Sequence, residues 1–501
     1  MTQRPFSAIC DDFGALASER RIGADPQVSS VSADSRFIEP GGLFVCMPSA
    51  SRDTHEYLEE VQSQGAVAAI VHSSEGLQKA EAIGLAAVLI LPEGSRFNFV
   101  VGRVCRTVYG DPTSKMRMVG ITGTNGKTTT AWMIRHALVA MGRRAAYLGT
   151  LGFQLDSEMR VLNNTTPFPV ELWNLLHEAE QAGTQDFIME SSSHALFERR
   201  LAGVQYDTGL LTNFTQDHLD FHGSMDAYAA AKQLLFTEYA AASSKSFVGA
   251  LNIADPLGRT WSSELPCRVI TYGADDAQLQ VTANDVRVDR ISLTATYNGE
   301  SVPVEMNVGG LFNVENAGSA LAGLLSLGHS LSDSAASLRS VTGVPGRFEA
   351  VPNNRGIGVI VDYAHTPDAL ELLLRSARSL KPNRLITVFG CGGDRDRSKR
   401  PKMAAVVSEN SEISVLTSDN PRTEDPAAIL RDVASGVKEG SESTQIIDRR
   451  EAIAHAISLA QPGDIVVIAG KGHEDYQIIG RTKYPMDDRL MAREALEQVS
   501  V

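Results

Sequence analysis

A run of glycines, threonines and one lysine carries the groups that bind nucleotide phosphates. It reads Thr-Gly-Thr-Asn-Gly-Lys-Thr-Thr. Gly123 and Gly126 would let backbone N–H groups approach phosphate oxygens, because a glycine places no side chain in the way. Lys127 would neutralise the outer phosphates, and the Thr128 hydroxyl would ligate Mg²⁺. The match to the P-loop pattern is imperfect, since Ile121 stands where that pattern has its first glycine.

The flanking elements would hold this run in a phosphate-binding geometry. Met118 to Ile121 is a short apolar run typical of a buried parallel strand, and Thr129 to Met141 carries apolar residues at helical spacing. A strand, a glycine turn and a helix together point the positive end of the helix at the phosphates. A Gly-Lys-Thr without those flanks could be an ordinary turn, so the flanks are what favour phosphate binding.

Acidic and imidazole groups follow two further predicted strands. Phe187 to Met189 reads as a strand that ends in Glu190, a usual place for a second metal ligand in α/β ATPases. Leu210 to Thr212 reads as another strand and leads into Asn-Phe-Thr-Gln-Asp-His-Leu-Asp-Phe-His-Gly. A helix predicted over Met225–Phe236 carries Ala-Ala-Lys. A lysine on a helix usually faces solvent and a single histidine is usually structural, so spacing alone assigns neither a role.

The next segment predicts a hairpin and a helix. Ile291 to Tyr297 and Val302 to Met306 alternate in polarity around Asn298-Gly299, a strong signal for a two-residue hairpin turn. Gly-Leu-Phe-Asn-Val-Glu-Asn-Ala then opens a helix rich in alanine and leucine, in which Asn313 could be a helix cap.

The last third of the chain alternates strands with helices, which predicts a doubly wound, mostly parallel sheet. The predicted strands are Val359–Val361, Leu385–Phe389, Ser414–Thr417 and Ile465–Ala469, and the predicted helices include Ala369–Leu380, Met403–Ser408 and Ala427–Val437. The loops after the strands are polar and rich in glycine, as expected for a ligand crevice at the carboxyl ends of parallel strands. None has the spacing of a dinucleotide-binding loop followed by an acidic residue.

These motifs together resemble the Mur ligases and their folylpolyglutamate synthetase relatives. The resemblance rests on two motifs, the Gly-Thr-Asn-Gly-Lys-Thr-Thr loop and the series Asn…Asp-His-Leu-Asp-Phe-His-Gly…Tyr…Ala-Lys…Leu-Phe. The resemblance implies that Glu190 and His218 bind Mg²⁺ together with Thr128. It also implies that CO₂ carbamylates Lys232, and that this carbamate helps to hold the metal. Lys127, Glu190, His218 and Lys232 would then be the catalytic groups.

The resemblance also implies two groups of substrate contacts. Those for ATP are Gly123, Thr124, Asn125, Gly126, Lys127, Thr128, Thr129, Asn316, Arg347 and Asp362. Those for the UDP-muramoyl substrate are Ser35, Asn164, Thr165, Thr166, Ser192, Glu198 and Arg200. Glu198 departs from the glutamine that the family has there.

The loop Asp419-Asn420-Pro421-Arg422 resembles the tetrapeptide with which diaminopimelate-adding Mur ligases recognise their amino acid. Arg422 would pair with the distal carboxylate that diaminopimelate has and lysine lacks, because a guanidinium fork holds a carboxylate in two places. The alternative is a capped turn, which Asp, Asn and Pro favour. By the same resemblance, the remaining contacts of the amino acid are Arg395, Gly470 and Glu474, the last of these at the amine.

The N-terminal stretch reads as a small α/β domain. Its predicted elements are the strands Gly42–Met47, Ala66–His72 and Ala86–Leu91 and the helix Tyr57–Ser63. The segment that contains Ser35 and Arg36 resembles the uridine-binding start of the Mur ligases, although it could be a simple turn before a strand. Residues 48–55 depart from the family form, which leaves the individual uridine contacts open.

Length and composition set the class of protein. With 501 residues we expect about three domains: 1–110 for the UDP substrate, 111–343 for ATP, and 344–501, Rossmann-like, for the amino acid. A net charge of −14 argues against a binder of nucleic acid or anionic membranes. Scattered cysteines and the lack of a signal peptide or an apolar run of membrane length predict a cytoplasmic protein. We expect a monomer.

The resemblance therefore implies an ATP-dependent amide ligase of peptidoglycan precursor synthesis. It would add meso-2,6-diaminopimelate to UDP-N-acetylmuramoyl-L-alanyl-D-glutamate through an acyl phosphate. Alternatives are a sister ligase that adds L-lysine or uses a folate-like acceptor, and an ATP-regulated binding module that hydrolyses slowly. A ligase needs both acceptor and amine for ATP turnover, whereas a switch needs neither.

Overall fold

The computed structural model describes residues 3–49 and 52–498, so Ala50 and Ser51 of the divergent 48–55 stretch lie outside the described residues. The chain divides into two compact units. The first runs from the N-terminus to Gln280 and includes Ser319–Ser330. The second consists of Val281–Gly318 and the chain from Leu331 to the C-terminus.

The first unit opens with a five-stranded α/β sheet. Its elements are β1 (Arg4–Pro5), α1 (Phe6–Phe13), β2 (Glu19–Arg21), β3 (Gln27–Val28), β4 (Ser30–Ser32), β5 (Gly42–Val45), α2 (Leu58–Ser63), β6 (Ala68–Val71), α3 (Ser74–Ala82), β7 (Ala86–Leu89) and α4 (Arg96–Tyr109). The strand order is β2-β7-β6-β5-β4, parallel except for β2. Alternate residues along β5, β6 and β7 face α1 and α4 on one side and α2 and α3 on the other. This burial on both faces explains the continuous apolar runs in the sequence.

A second sheet of the first unit carries the phosphate-binding run. Its elements are β8 (Arg117–Thr122), α5 (Lys127–Ala140), β9 (Ala145–Gly149), β10 (Gly152–Leu155), β11 (Glu158–Arg160), α6 (Pro169–Gln181), β12 (Asp186–Glu190), α7 (Ser193–Phe197), β13 (Thr208–Leu211), α8 (Leu219–His222), α9 (Met225–Gln233), α10 (Glu238–Ala242), β14 (Val248–Asn252), α11 (Pro256–Glu264), β15 (Arg268–Tyr272) and the start of β16 (Leu279–Val286, which continues into the second unit). The strand order is β11-β10-β9-β12-β8-β13-β14-β15, with an antiparallel part at β10 and β11. The loops after β8, β12 and β13 therefore leave the same edge of the sheet.

The second unit contains a hairpin and a doubly wound sheet. Its elements are β17 (Ile291–Tyr297), β18 (Glu300–Met306), α12 (Phe312–Ser326, which continues into the first unit), α13 (Leu331–Leu338), β19 (Glu349–Ala350), β20 (Gly358–Asp362), α14 (Pro367–Ser379), β21 (Leu385–Cys391), α15 (Lys399–Asn410), β22 (Ile413–Ser418), α16 (Pro426–Ala434), β23 (Glu442–Gln445), α17 (Arg449–Leu459), β24 (Ile465–Ala469), β25 (Tyr476–Ile479), β26 (Thr482–Pro485) and α18 (Asp488–Gln498). The sheet order is β19-β20-β24-β21-β22-β23, parallel except for β19. Helices α14 to α16 cover one face, and α17 and α18 cover the other.

The predicted fold class is confirmed, with small shifts at the element ends. Asn298 and Gly299 have φ of 52° and 84°, as the hairpin turn requires. Helix α14 begins at Pro367, two residues earlier than predicted, because Thr366 caps it and proline suits the first helical position. Helix α9 ends at Gln233 instead of continuing to Phe236. Among the described residues, no helix is both long and apolar enough to cross a membrane.

A buried ion pair fastens α18 to the edge of the C-terminal sheet. Arg449 donates to Asp488 through Nε and Nη2, at 2.8 and 2.7 Å, and both side chains are completely buried. The same Nη2 donates to the carbonyl oxygen of Ala469, at 2.9 Å. Removal of either side chain would leave the other as an unpaired buried charge, which destabilises the fold.

Arg449→Met is expected to lower the free energy of unfolding by about 3–5 kcal/mol, since it leaves Asp488 buried without its cation. The matched control is Arg450→Met, which breaks an exposed pair with Glu494 whose side chains are 60% and 50% exposed. That control substitution should lower the free energy of unfolding by only about 0–1 kcal/mol. Urea unfolding of both variants measures the difference. Equal losses would contradict the structural role of the buried pair.

Candidate active site

The phosphate-binding run forms a strand–loop–helix. The loop leaves β8 at Thr122 and enters α5 at Lys127, and Gly123 and Gly126 have φ of 144° and 83°. A Cβ on Gly123 would lie 1.9 Å from the Thr212 hydroxyl oxygen, so only glycine fits there. Thr128 is buried in the first turn of the helix. The predicted secondary structure around the lysine is therefore confirmed.

The loop is braced by the chain that follows β13. Asn213 accepts the backbone N–H of Asn125 through Oδ1 at 2.9 Å, and the Thr212 hydroxyl donates to the Asn125 carbonyl oxygen at 2.6 Å. The Thr124 backbone N–H donates to the Asn213 carbonyl oxygen at 2.9 Å. These bonds fix the loop from one side and leave the α5 end of the loop to a ligand.

Two lysines meet at one carbonyl oxygen of this loop. Lys127 Nζ donates to the oxygen of Gly123 at 3.0 Å, and Lys232 Nζ donates to the same oxygen at 2.8 Å. Lys232 is 1% exposed and its Nζ lies 4.3 Å from the centroid of the Tyr228 ring. Burial, and after it the charge of Lys127, hold the pKa of the Lys232 amine well below its ordinary value. The unprotonated amine is the form that reacts with CO₂, and a lowered pKa favours that form, so this site fits a carbamate.

Glu190 is a completely buried carboxylate at the end of β12. Its Oε1 accepts from the Tyr147 hydroxyl at 2.7 Å and from the Thr150 N–H at 2.9 Å. A Cβ on Gly149 would lie 2.1 Å from the same oxygen, so the glycine makes room for it. Within residues 3–49 and 52–498 no Lys, Arg or His forms an ion pair with Glu190. A buried carboxylate held only by neutral donors fits a site for a cation.

His218 lies at the amino end of α8 with φ of 51°. Its ring packs edge-on against His194 at 4.8 Å and Tyr228 at 6.0 Å between centroids. Burial is the largest cause that lowers the pKa of the imidazole; the charge of Asp217 acts against it, and those of Lys127 and Lys232 act with it. The neutral ring is the form that ligates metals, so the chemistry of His218 fits the predicted set with Thr128, Glu190 and Lys232.

The predicted muramoyl contacts surround the end of β12. Thr166 is buried, its hydroxyl donates to the Glu190 carbonyl oxygen at 2.7 Å, and it accepts the Ser192 N–H at 3.2 Å. Arg200 donates to the Thr166 carbonyl oxygen at 3.1 Å and to Glu198 at 2.7 Å. Glu198 thus pairs with a cation where the expected glutamine could only share a neutral bond.

Of two further predicted contacts, Thr165 is a neighbour of this group and Ser35 lies apart from it. The Thr165 hydroxyl lies 3.2 Å from that of Thr150, which itself bonds to Glu190. Ser35 begins a short 3₁₀ helix, Ser35–Phe37, in the N-terminal sheet region. There the Asp34 side chain accepts from both the backbone and the guanidinium of Arg36, which is the turn that the sequence left as an alternative.

The predicted nucleotide contacts of the second unit include a buried acid and a stacked arginine. Asp362 ends β20 and accepts the N–H groups of Phe348 and Ala364 at 2.7 and 2.8 Å. Burial raises the pKa of its carboxyl. The Arg347 guanidinium lies 5.1 Å from the centroid of the Tyr363 ring, and its buried Nε has no hydrogen-bond partner in the described chain.

Asn313 and Asn316 form one pair at the start of α12. Asn313 is completely buried and donates to the Gly309 carbonyl oxygen at 2.7 Å, while its Oδ1 accepts from Asn316 at 2.8 Å. Asn313 is therefore inside the helix, where it holds Asn316, and is not its N-terminal cap.

The Asp-Asn-Pro-Arg loop follows β22 and is more ordered than a surface turn. Arg422 has φ of 52°, its N–H donates to the Ile478 carbonyl oxygen at 3.0 Å, and its Nη1 donates to the Gly393 carbonyl oxygen at 2.9 Å. A Cβ on Gly470 would lie 2.9 Å from Asp419 Oδ2, so the two loops are in close contact. The backbone N–H and the guanidinium of Arg422 are thus both held, and most of the guanidinium N–H groups remain available to bind a ligand.

Comparison with known proteins decides the family. Residues 121–324 match the Mur ligase middle domain, and residues 346–472 match the domain described as "Mur ligase, glutamate ligase domain". A UDP-N-acetylmuramoyl-L-alanyl-D-glutamate–2,6-diaminopimelate ligase of Bacillus cereus is 39% identical over 97% of this chain and 96% of its own. One from Synechocystis is 42% identical over 96% and 95%. A solved structure of such a ligase superposes with a TM-score of 0.70 at 31% identity and covers all of both chains.

The chain belongs to the Mur ligase family. Mur ligases are ATP-dependent ligases that add an amino acid to a UDP-muramoyl peptide in peptidoglycan synthesis, and this chain is such an enzyme. The predicted family, fold class and reaction class are therefore confirmed.

The sequence reasoning missed a lysine of this Mur ligase. Lys471 is completely buried, and its Nζ donates to Glu474 Oε2 at 3.0 Å and to Asn420 Oδ1 at 3.2 Å. Asn420 also donates to Glu474 Oε2, at 3.0 Å. The sequence indicates roles for Gly470 and Glu474 of the same loop but none for Lys471, because nothing local shows that the lysine is buried. Arg395, in contrast, is exposed in the loop after β21.

Tyr147 was also missed, since it lies in the apolar run of β9 and carries no motif. Its hydroxyl bonds to Glu190, and the neighbouring Gly149 makes room for that carboxylate. A glycine two residues after a tyrosine, at the end of a strand, is the local signal that could have pointed to it.

Proposed function

We propose that this Mur ligase adds meso-2,6-diaminopimelate to UDP-N-acetylmuramoyl-L-alanyl-D-glutamate. The observation that carries the proposal is the fixed Arg422 in the Asp-Asn-Pro-Arg loop, beside a buried cluster of Asn420, Lys471 and Glu474. A guanidinium at one end and a carboxylate at the other suit an amino acid that has a second carboxylate as well as an amine. The relatives at 39% and 42% identity carry this activity in their names.

The reaction has two steps. The γ-phosphoryl group of ATP moves to the terminal carboxylate of the acceptor, so the bond to the β-phosphate breaks and ADP leaves. The amine of diaminopimelate then attacks the acyl carbon, loses a proton, and expels phosphate to leave an amide. The protein positions the reactants and neutralises charge, and it forms no covalent intermediate with them.

The loop of residues 123–129 holds the phosphates, and Lys127 neutralises the charge on the outer ones. The groups that would hold Mg²⁺ are Thr128, Glu190, His218 and carbamylated Lys232. Mg²⁺ supplies charge neutralisation that lets ATP approach an anionic acceptor. Carbamylation would convert Lys232 from a second cation beside Lys127 into an anion that can ligate a metal.

The remaining predicted contacts form three sets, one for each substrate. Those for ATP are Thr124, Asn125, Thr129, Asn316, Arg347 and Asp362. Ser35, Asn164, Thr165, Thr166, Ser192, Glu198 and Arg200 contact the UDP-muramoyl dipeptide. Arg395, Asp419, Asn420, Pro421, Arg422, Gly470 and Glu474 contact diaminopimelate.

We further propose a cytoplasmic monomer that uses small-molecule substrates only and binds no nucleic acid. Its domains would be 1–110 for the UDP substrate, 111–343 for ATP and 344–501 for the amino acid. Sedimentation at micromolar concentration measures the oligomeric state, and a dimer would contradict the monomer.

The test of the reaction is ADP release by the purified chain in the presence of ATP, Mg²⁺, the UDP-muramoyl dipeptide and diaminopimelate. Release should require both the dipeptide and the amine, and mass spectrometry should find one amide product per ADP. Release that continues when either substrate is left out would overturn the ligase reaction and favour an ATP-driven switch.

Lys471→Met is expected to raise the KM for diaminopimelate at least about tenfold with a smaller effect on kcat. The substitution removes one donor each from Glu474 and Asn420 and leaves the Glu474 carboxylate, which is 18% exposed, without its cation. Lys483→Met is the matched control, because Lys483 lies 3.9 Å from the Tyr476 ring that Lys471 also faces, at 5.5 Å, but is exposed. A changed KM for ATP instead of diaminopimelate would place Lys471 at another substrate.

A further inference from the structure

A histidine pair lies in the N-terminal sheet region, in a place that the ligase reaction does not use. Asp53 and His55 belong to the chain after β5, and His72 follows the last residue of β6. The rings of the two histidines are 4.1 Å apart between centroids. One ligand atom from each of the three residues lies within 4.8 Å of the other two.

The chain makes room for this cluster. A Cβ on Gly76, in α3, would lie 2.2 Å from Cδ2 of His55, so a glycine is required for the ring to fit. The His55 ring is 3% exposed, and its Nδ1 lies 2.7 Å from Asp53 Oδ1. The Asp53 side chain is 47% exposed, and its Oδ1 also accepts the backbone N–H of His55 at 3.0 Å, which holds the carboxylate beside the ring.

His72 provides the independent sign of a missing partner. Its Nε2 is shielded from solvent and has no hydrogen-bond partner within the described residues. A buried polar atom of this kind destabilises the fold unless a partner satisfies it. Burial first, and the nearby His55 next, lower the pKa of the His72 imidazole. The neutral ring keeps a lone pair for a metal.

We propose that Asp53, His55 and His72 bind a transition-metal dication such as Zn²⁺. Two imidazoles and one carboxylate are a ligand set that Zn²⁺ prefers and that Mg²⁺ and Ca²⁺ do not. Two ligand atoms of one tetrahedral Zn²⁺ are about 3.4 Å apart, so the observed spread of up to 4.8 Å closes with a movement of about 1.4 Å. When His55 ligates through Nδ1, the proton that Nδ1 shares with Asp53 moves to Nε2, so the long 3.3 Å bond from the His72 N–H to His55 Nε2 is given up.

Such an ion would tie the segment after β5 to the end of β6. The inference does not depend on the proposed amino-acid substrate. Its measurable consequence is binding, because the cluster does not contain a group assigned to catalysis.

The test is calorimetric titration of the chelator-treated full chain with ZnCl₂, with millimolar Mg²⁺ in both solutions to occupy the nucleotide-side metal site. We expect one equivalent whose affinity falls at least about tenfold in His72→Gln and in Asp53→Asn. His455→Gln, in α17, is the matched control and should bind as the wild type does. Thermal unfolding without Zn²⁺ shows whether each variant is folded.

The two substitutions give separate readings, so one misfolded variant does not remove the test. Zn²⁺ that binds equally well to wild type and to both variants sits elsewhere and overturns the proposal. So does a wild-type chain with no binding below millimolar Zn²⁺, because only an adventitious ion binds so weakly.

Discussion

Lys232→Met is expected to lower the turnover number at saturating substrates by about 10²–10³-fold. The reason is that methionine fills the buried space but cannot form a carbamate, so the site loses an anion where a metal must be held. Since the amine of Lys232 and that of Lys127 share one carbonyl oxygen, the variant also leaves Lys127 without its neighbour. Initial rates of ADP release measure the effect.

A matched control separates the loss of the carbamate from the loss of a positive charge. Lys115→Met removes a surface lysine that pairs with Glu180 and should keep wild-type turnover. Removal of dissolved CO₂ and bicarbonate should lower the rate of the wild type and leave that of Lys232→Met unchanged. With ¹³C-bicarbonate, a carbamate carbon signal should be present in the wild type and absent from the variant. Full activity of Lys232→Met would contradict any role of the residue in the reaction.

Arg422→Met is expected to reduce kcat/KM for diaminopimelate by about 10²-fold, which corresponds to about 3 kcal/mol. Arg422 is held by its backbone N–H on Ile478 and by Nη1 on Gly393, so its guanidinium is already oriented before the ligand arrives. The variant cannot pair with the distal carboxylate of the amino acid. Turnover with L-lysine, which lacks that carboxylate, should change little.

Arg422→Lys should recover only a small part of the loss, because an ammonium cannot hold a carboxylate in the two-point geometry of a guanidinium. Arginine, methionine and lysine at this position all have the same energetic cost for a backbone φ of 52°, so backbone strain does not confound the comparison. Arg397→Met is the control, since that arginine pairs with Glu424 nearby but is 69% exposed. An Arg422→Met enzyme that keeps its preference for diaminopimelate would contradict the assigned role.

The elements that carry the site could be predicted because they follow from local patterns. The strand–loop–helix around Lys127 and the hairpin at Asn298 are fixed by periodicity and by turn residues, and the structure confirms both. The ends of helices were predicted less accurately where a capping residue determines the first helical residue. Asp425 caps α16, which makes Pro426 its first residue instead of Ala427.

What the sequence could not supply is which side chains meet. Lys127 and Lys232 are far apart in the chain, and only the order of the parallel strands brings their amines to one oxygen. Lys471 sits in a loop that looks polar and exposed, yet it is completely buried against Asn420 and Glu474. Burial of a lysine depends on tertiary packing, for which a single sequence has no local signal.

The most direct measurement is ADP release with UDP-N-acetylmuramoyl-L-alanyl-D-glutamate as acceptor, comparing meso-2,6-diaminopimelate with L-lysine at equal concentrations. The account predicts rapid release with diaminopimelate and little with lysine, because lysine leaves the guanidinium of Arg422 without a partner. Equal release with both amines would keep the ligase and contradict the role of Arg422. Release that depends on neither amine would contradict the central claim that this chain forms the amide bond.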